Sequence, residues 1–181
     1  GIRINPINMI QKVHAVVLSG GSAFGLESTC GVSRYLEENN IGFDVGVAKV
    51  PIVVGAVLFD LGVGNPKSRP NIEMGYRACQ VASDTKLNQG NFGAGCGATV
   101  GKIKGIEYAM KGGIGSHSIK LPNGLVVSAL VAVNAFGDVY ENGKVIAGVM
   151  DDEKKNVLNS YELMKNGVNK GGFSIDNTCL L

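Results

Sequence analysis

The chain has no tryptophan, only 6% aromatic residues and a formal net charge of +2 over 181 residues, with its basic residues scattered. It offers neither a basic stripe nor a stacking platform, so nucleic acid is not an expected partner. Cysteine is scarce and dispersed: Cys30, Cys79, Cys96 and Cys179 form no CxxC pair. A zinc knuckle or disulfide framework is therefore not expected, and reduced core thiols in a cytoplasmic setting are. The two histidines, His14 and His117, have no HExxH-like spacing around them, so neither a metal nor a cofactor is expected. No run approaches 18 apolar residues, and residues 1–12 lack the charged and apolar regions of a signal peptide, so no membrane partner is expected.

What the chain has in excess is glycine, 27 of 181 residues or about 15%, against a globular background of 45% hydrophobic and 18% charged residues. This length buries roughly 70% of the surface of the unfolded chain, enough for one domain without staples. Residues 13–18 (VHAVVL) read as a strand closed by Ser19-Gly20-Gly21, and residues 23–39 follow at helical spacing. Residues 52–61 (IVVGAVLFDL) read as a buried strand, 73–83 as a second helix, and 90–101 as a glycine-dense loop or strand that another backbone or a ligand approaches closely. Residues 115–121 and 125–134 read as a hairpin through Pro122-Asn123-Gly124, residues 138–149 as another, and 153–165 as a short helix in a charged excursion. The reading is one α/β (α+β) domain over residues 1–181, helices on a largely antiparallel sheet system.

The turn from Gly20 to Gly25 follows a strand and opens a helix, so it could hold an anion, but it lacks both the P-loop ending and the GxGxxG spacing. A structural turn is the preferred reading. His14 reads as a satisfied core residue. Neither Ser116 nor Ser118 is aimed at His117, because neighbours on a strand point to opposite faces. Cys30 and Cys79 read as small buried hydrophobes on helices, and Cys96 as structural. Lys111 precedes Gly112-Gly113-Ile114-Gly115, where backbone N–H groups could share its space and burial could depress its pKa; taken alone, a solvated lysine at the start of a strand is the preferred reading. Asn134 interrupts an apolar strand and either finds partners for its carboxamide or ends the strand. Thr178 stands where a loop enters an apolar run. Attack on its own preceding carbonyl, an N-to-O acyl shift and hydrolysis at Asn177–Thr178 would free an α-amine of pKa about 8 as its general base.

Residues 13–26 (VHAVVLSGGSAFGL), 50–64 (VPIVVGAVLFDLGVG), 73–80 (EMGYRACQ), 90–102 (GNFGAGCGATVGK), 110–115 (MKGGIG) and 125–138 (LVVSALVAVNAFGD) together resemble the L-aminopeptidase/D-esterase family. This family includes β-aminopeptidases and nylon-oligomer hydrolases. The resemblance implies a four-layer αββα sandwich like that of N-terminal-nucleophile hydrolases, shared with ornithine acetyltransferase. It implies a precursor that cuts itself between Asn177 and Thr178, with Thr178 as nucleophile, Lys111 assisting proton transfer, Asn134 stabilising the oxyanion and Tyr76 lining the substrate site. The chain then reads as the large-subunit portion of a longer precursor, partnered by a small C-terminal subunit in a homo-oligomer and acting on small peptides or amide oligomers. It departs from the family pattern at Cys179, where threonine is more usual. Two other readings are an acyl transferase like ornithine acetyltransferase, and a non-catalytic scaffold or small-anion binder using Gly20 to Gly25.

Overall fold

The structure is a computed structural model that describes residues 12–85 and 87–168 and the backbone of residues 178–180. In chain order its elements are β1 (Ala15–Ser19), α1 (Glu27–Glu38), β2 (Phe43–Asp44), β3 (Lys49–Val50), β4 (Val53–Val57) and α2 (Ile72–Gln80). They continue with β5 (Thr99–Val100), β6 (Met110–Lys111), β7 (Gly113–Lys120), β8 (Val126–Asn134), β9 (Val139–Glu141), β10 (Lys144–Ala147), α3 (Ser160–Lys165) and β11 (Thr178–Leu180). Helix and strand mix as expected of an α/β chain.

The strands form small sheets. β1 and β4 pair in parallel, Ala15 opposite Val53 through Ser19 opposite Val57, with α1 in the connection between them, as parallel pairing requires. The other described pairings are antiparallel: β2 with β3, β5 with β6, β9 with β10, and a three-stranded sheet in the order β11-β8-β7. The β7–β8 turn is closed by Leu121 N–H donating to the Leu125 carbonyl at 2.7 Å, with Gly124 in the left-handed region at φ 87°. Leu58, Ala94, Ala98 and Ala132 form the centre of the core, and Leu18, Ala56 and Ile114 pack on it. The core therefore lies where β1, β4, the glycine stretch and β8 meet. α1 and α2 cross beside it with their backbones in contact: a Cβ on Gly31 would lie 1.9 Å from the Ile72 carbonyl, and one on Gly75 2.0 Å from that of Ser28.

Several expected elements differ from their patterns, the second helix among them, which stops at Gln80 short of residue 83. The strand expected over 52–61 ends at Val57 because the chain turns inward: Leu58 donates its N–H to Ser19 and accepts from Ser22 N–H. Part of the 90–101 stretch is a 3-10 turn, Gly93–Gly95, before β5. The helix expected over 153–165 begins only at Ser160, because the Asp151 carboxylate takes the Lys155 N–H and the Asn156 amide into a loop. Asn159 then caps α3 by accepting from Glu162 N–H, and Asp138 ties it back through the Ser160 N–H and hydroxyl.

Candidate active site

β8 ends at Asn134, which is fully buried and bonded at both ends of its carboxamide. Its Oδ1 accepts from Thr99 N–H at 3.0 Å and from the Lys102 ammonium at 2.9 Å. Its Nδ2 donates to the Phe59 carbonyl at 2.8 Å. A primary amide has two N–H donors, and the second has no acceptor among the described residues. The residue directly opposite Asn134 in the β11–β8 ladder is Thr178. Asn177 lies outside the described residues, so the expected cleavage point is described on its C-terminal side alone.

Lys111 joins the same neighbourhood through β5. Thr99, which binds Asn134, pairs with Lys111 across the β5–β6 ladder. The Lys111 ammonium donates to three carbonyls of the glycine stretch, those of Cys96 at 2.6 Å, Ala98 at 2.9 Å and Gly95 at 3.3 Å. Where the sequence pattern suggests N–H groups, the glycine-rich backbone presents oxygens, which suits a cation. Lys111 is exposed as a whole, and partial desolvation of its ammonium lowers its pKa from the usual lysine range, opposed by the Cys96 thiol and the Asp60 carboxylate nearby. Glycine is required at position 112, because a Cβ there would fall 2.2 Å from the Val133 carbonyl and push β6 away from β8.

Tyr76 stands elsewhere. Its hydroxyl donates to Glu38, its ring packs edge-on against Tyr35 at 5.4 Å, and the Arg34 guanidinium lies over it at 4.6 Å. These contacts belong to the α1–α2 surface, and none reaches Lys111 or Asn134. The short bond to Glu38 pushes the Tyr76 phenol up and, with Arg34, the Glu38 carboxyl down.

The sequence reading did not single out Asp60, Thr99 or Lys102. Asp60 carried a signal, being the one carboxylate in the apolar run IVVGAVLFDL; Thr99 and Lys102 close the glycine stretch as GATVGK. Asp60 Oδ1 accepts from Gly21 N–H at 2.7 Å, so the turn considered as an anion site already holds a carboxylate of this chain. Beside it a groove of about 710 Å³ runs between β1 and the two helices, with Asp60, Cys96 and Gly97 in its lining.

Other candidates resolve into structure. His14 Nδ1 accepts from Ile52 N–H at 3.0 Å, which satisfies it. His117 is exposed, and the Ser118 hydroxyl is bonded to that of Ser128 at 2.8 Å. Cys30, expected in the core, is exposed, since the buried stripe of α1 is Ser28, Gly31, Val32 and Leu36; Cys96 is exposed as well. Cys79 is half-buried, and burial pushes its thiol pKa up. Among the described residues there is no group of three or more potential metal ligands, and no helix is long and apolar enough to cross a membrane.

The arrangement of a buried carboxamide, an ammonium held by three carbonyls and a threonine in register can be set beside known proteins. The sequence profile of peptidase family S58 matches residues 2–179. An uncharacterized aminopeptidase of Mycobacterium leprae is 42% identical over 155 residues, which cover 82% of this chain and 41% of that protein. The 6-aminohexanoate-oligomer endohydrolase of Paenarthrobacter ureafaciens is 30% identical over 139 residues, covering 76% of this chain and 38% of its own. The chain thus spans about two fifths of the length of these relatives. With the profile covering nearly all of its residues, and with the motifs around Lys111 and Asn134 inside the match, the chain belongs to peptidase family S58, the L-aminopeptidase/D-esterase family.

Proposed function

We propose that the protein of which this chain forms part is a self-processing amidohydrolase of aminopeptidase type with Thr178 as its nucleophile. The observation that carries the reading is the register: Thr178 stands opposite Asn134, and Asn134 is linked through Thr99 to the strand that bears Lys111. In self-cleavage the Thr178 hydroxyl attacks the Asn177 carbonyl, the C–N bond breaks as the acyl group moves to oxygen, and water hydrolyses the ester. The products are an Asn177 carboxylate and a Thr178 α-amine of pKa about 8, able to take the hydroxyl proton in later turnovers. Attack on a substrate amide gives a tetrahedral oxyanion, which the spare Asn134 N–H stabilises. The proton taken from the hydroxyl passes to the leaving amine with Lys111 assisting, and water then hydrolyses the acyl-threonine. Small peptides or amide oligomers are the substrate class, in keeping with the names of the relatives.

The same proposal includes the αββα sandwich, a small C-terminal subunit, a homo-oligomer and a cytoplasmic setting; Tyr76, whose contacts lie on the α1–α2 surface, has no part in it. Exposed apolar side chains on the β7–β8 hairpin, among them Ile119, Val126, Val127 and Leu130, support a covering partner. Against the small-anion reading, the Gly21 N–H of that turn already donates to Asp60. Acyl transfer to an amine differs from hydrolysis only in the second step, so one experiment separates them. The full-length processed protein is mixed with an aminoacyl p-nitroanilide, quenched in acid and peptide-mapped by mass spectrometry, with and without an added amine acceptor. The expected result is an acyl adduct on the peptide that begins at Thr178, with free acid as product even when amine is present. Turnover with the adduct on another residue would overturn the assignment.

A further inference from the structure

Asp60 touches the candidate site on two sides. Its neighbour Phe59 presents the carbonyl that holds Asn134 Nδ2 at 2.8 Å, while its own Oδ1 accepts from Gly21 N–H at 2.7 Å. The carboxylate is wedged between two glycines: a Cβ on Gly20 would lie 2.2 Å from Oδ2, and one on Gly97 2.1 Å. Gly97 is the residue between Cys96 and Ala98, whose carbonyls hold the Lys111 ammonium. The carboxylate therefore rests on the segment that forms the ammonium cage and carries the opposite charge. Neither glycine can become alanine without moving the carboxylate or the loop, which accounts for glycine at both positions.

We propose that Asp60 is a positioning residue for the reaction: its carboxylate braces the Gly20–Gly21 turn against Gly97 and so fixes the carbonyl cage around Lys111. This rests on the reading that Thr178, Lys111 and Asn134 serve self-cleavage and amide hydrolysis. A carboxylate that only capped the Gly20–Gly21 turn would be felt in stability alone. A positioning carboxylate is felt in the protonation of Lys111 as well, because its charge favours the ammonium. The other groups to weigh around Lys111 are the Cys96 thiol on the caging loop, the Lys102 ammonium bonded to Asn134, and the Thr178 α-amine once freed from its peptide bond.

The test uses the full-length precursor and the variants Asp60→Asn, Gly97→Ala and Thr178→Ala. Asp60→Asn keeps an acceptor for Gly21 N–H and removes the charge. Scission at Asn177–Thr178 is followed by intact mass from pH 5 to 10, and hydrolysis of an aminoacyl p-nitroanilide gives kcat and KM. For Asp60→Asn we expect scission slower by about tenfold or more and a matching fall in kcat, with KM within about twofold. The limb of the pH profile governed by Lys111 should move to lower pH, whichever protonation state of Lys111 is the active one, because the Asp60 charge favours the ammonium. Gly97→Ala should lower kcat similarly without that movement, since it shifts the cage and keeps the charge. A folded Asp60→Asn variant with unchanged kcat and unmoved limb would overturn the proposal. Should Asp60→Asn fail to fold, a folded Gly97→Ala variant with unaltered scission and kcat would overturn it equally. An unmodified precursor that never cuts would remove the functional reading itself, whereas cutting abolished by Thr178→Ala leaves only the role of Asp60 at stake.

Discussion

Asn134 shows how one buried polar side chain can organise a site. Its carboxamide satisfies Thr99 N–H, the Lys102 ammonium and the Phe59 carbonyl at once, and it is fully buried. Removing it strands Thr99 N–H and the Phe59 carbonyl, while the Lys102 ammonium keeps the Asn134 main-chain carbonyl at 3.1 Å; an unsatisfied buried group costs about 1–3 kcal/mol. Asn134→Ala is therefore expected to destabilise the fold by about 3 kcal/mol, read as a lowered midpoint in urea unfolding; a loss under about 1 kcal/mol would show that water replaces these bonds. Lys111 and Asn134 were both legible in the sequence as polar residues in unexpected company, a lysine before a glycine run and an amide in an apolar strand. Asp60 was not singled out. Its role depends on Gly20, Gly21 and Gly97, which lie about forty residues away on either side and are brought to it by the fold alone.

At the scale of elements, local signals held where the decisive contacts are local. The Asn123-Gly124 turn fixed the β7–β8 hairpin within two residues of its expected ends, because turn geometry sets register. The strand after residue 52 was expected to run on through its apolar pattern, and it stops where Leu58 turns to bond Ser19 and Ser22, partners that no periodicity reveals. The α1–α2 crossing offers a test of sign. In an exposed helix Gly→Ala stabilises by about 0.5–1 kcal/mol. At Gly75 the added Cβ would lie 2.0 Å from the Ser28 carbonyl, so the helices must part. Gly75→Ala should thus destabilise by about 1–3 kcal/mol and lower Tm by several degrees; an unchanged or raised Tm would show the crossing to be looser than described.

At the scale of the whole molecule, the chain supplies about two fifths of the length of its curated relatives, and its three-stranded sheet carries exposed apolar side chains toward the tip of the β7–β8 hairpin. Within it, the parts of the proposed chemistry come from separate stretches: the Phe59 carbonyl after β4, the cage from residues 95–98, Lys111 from β6, Asn134 from β8 and Thr178 from β11. In the proposed function this assembly serves to cut before Thr178. The most direct measurement is the intact mass of the full-length protein after expression, beside its Thr178→Ala variant. The unmodified protein should give two fragments with the break between Asn177 and Thr178, and the variant one uncut chain. An unmodified protein that stays whole through prolonged incubation, or a Thr178→Ala variant that is cut at the same bond, would contradict that function.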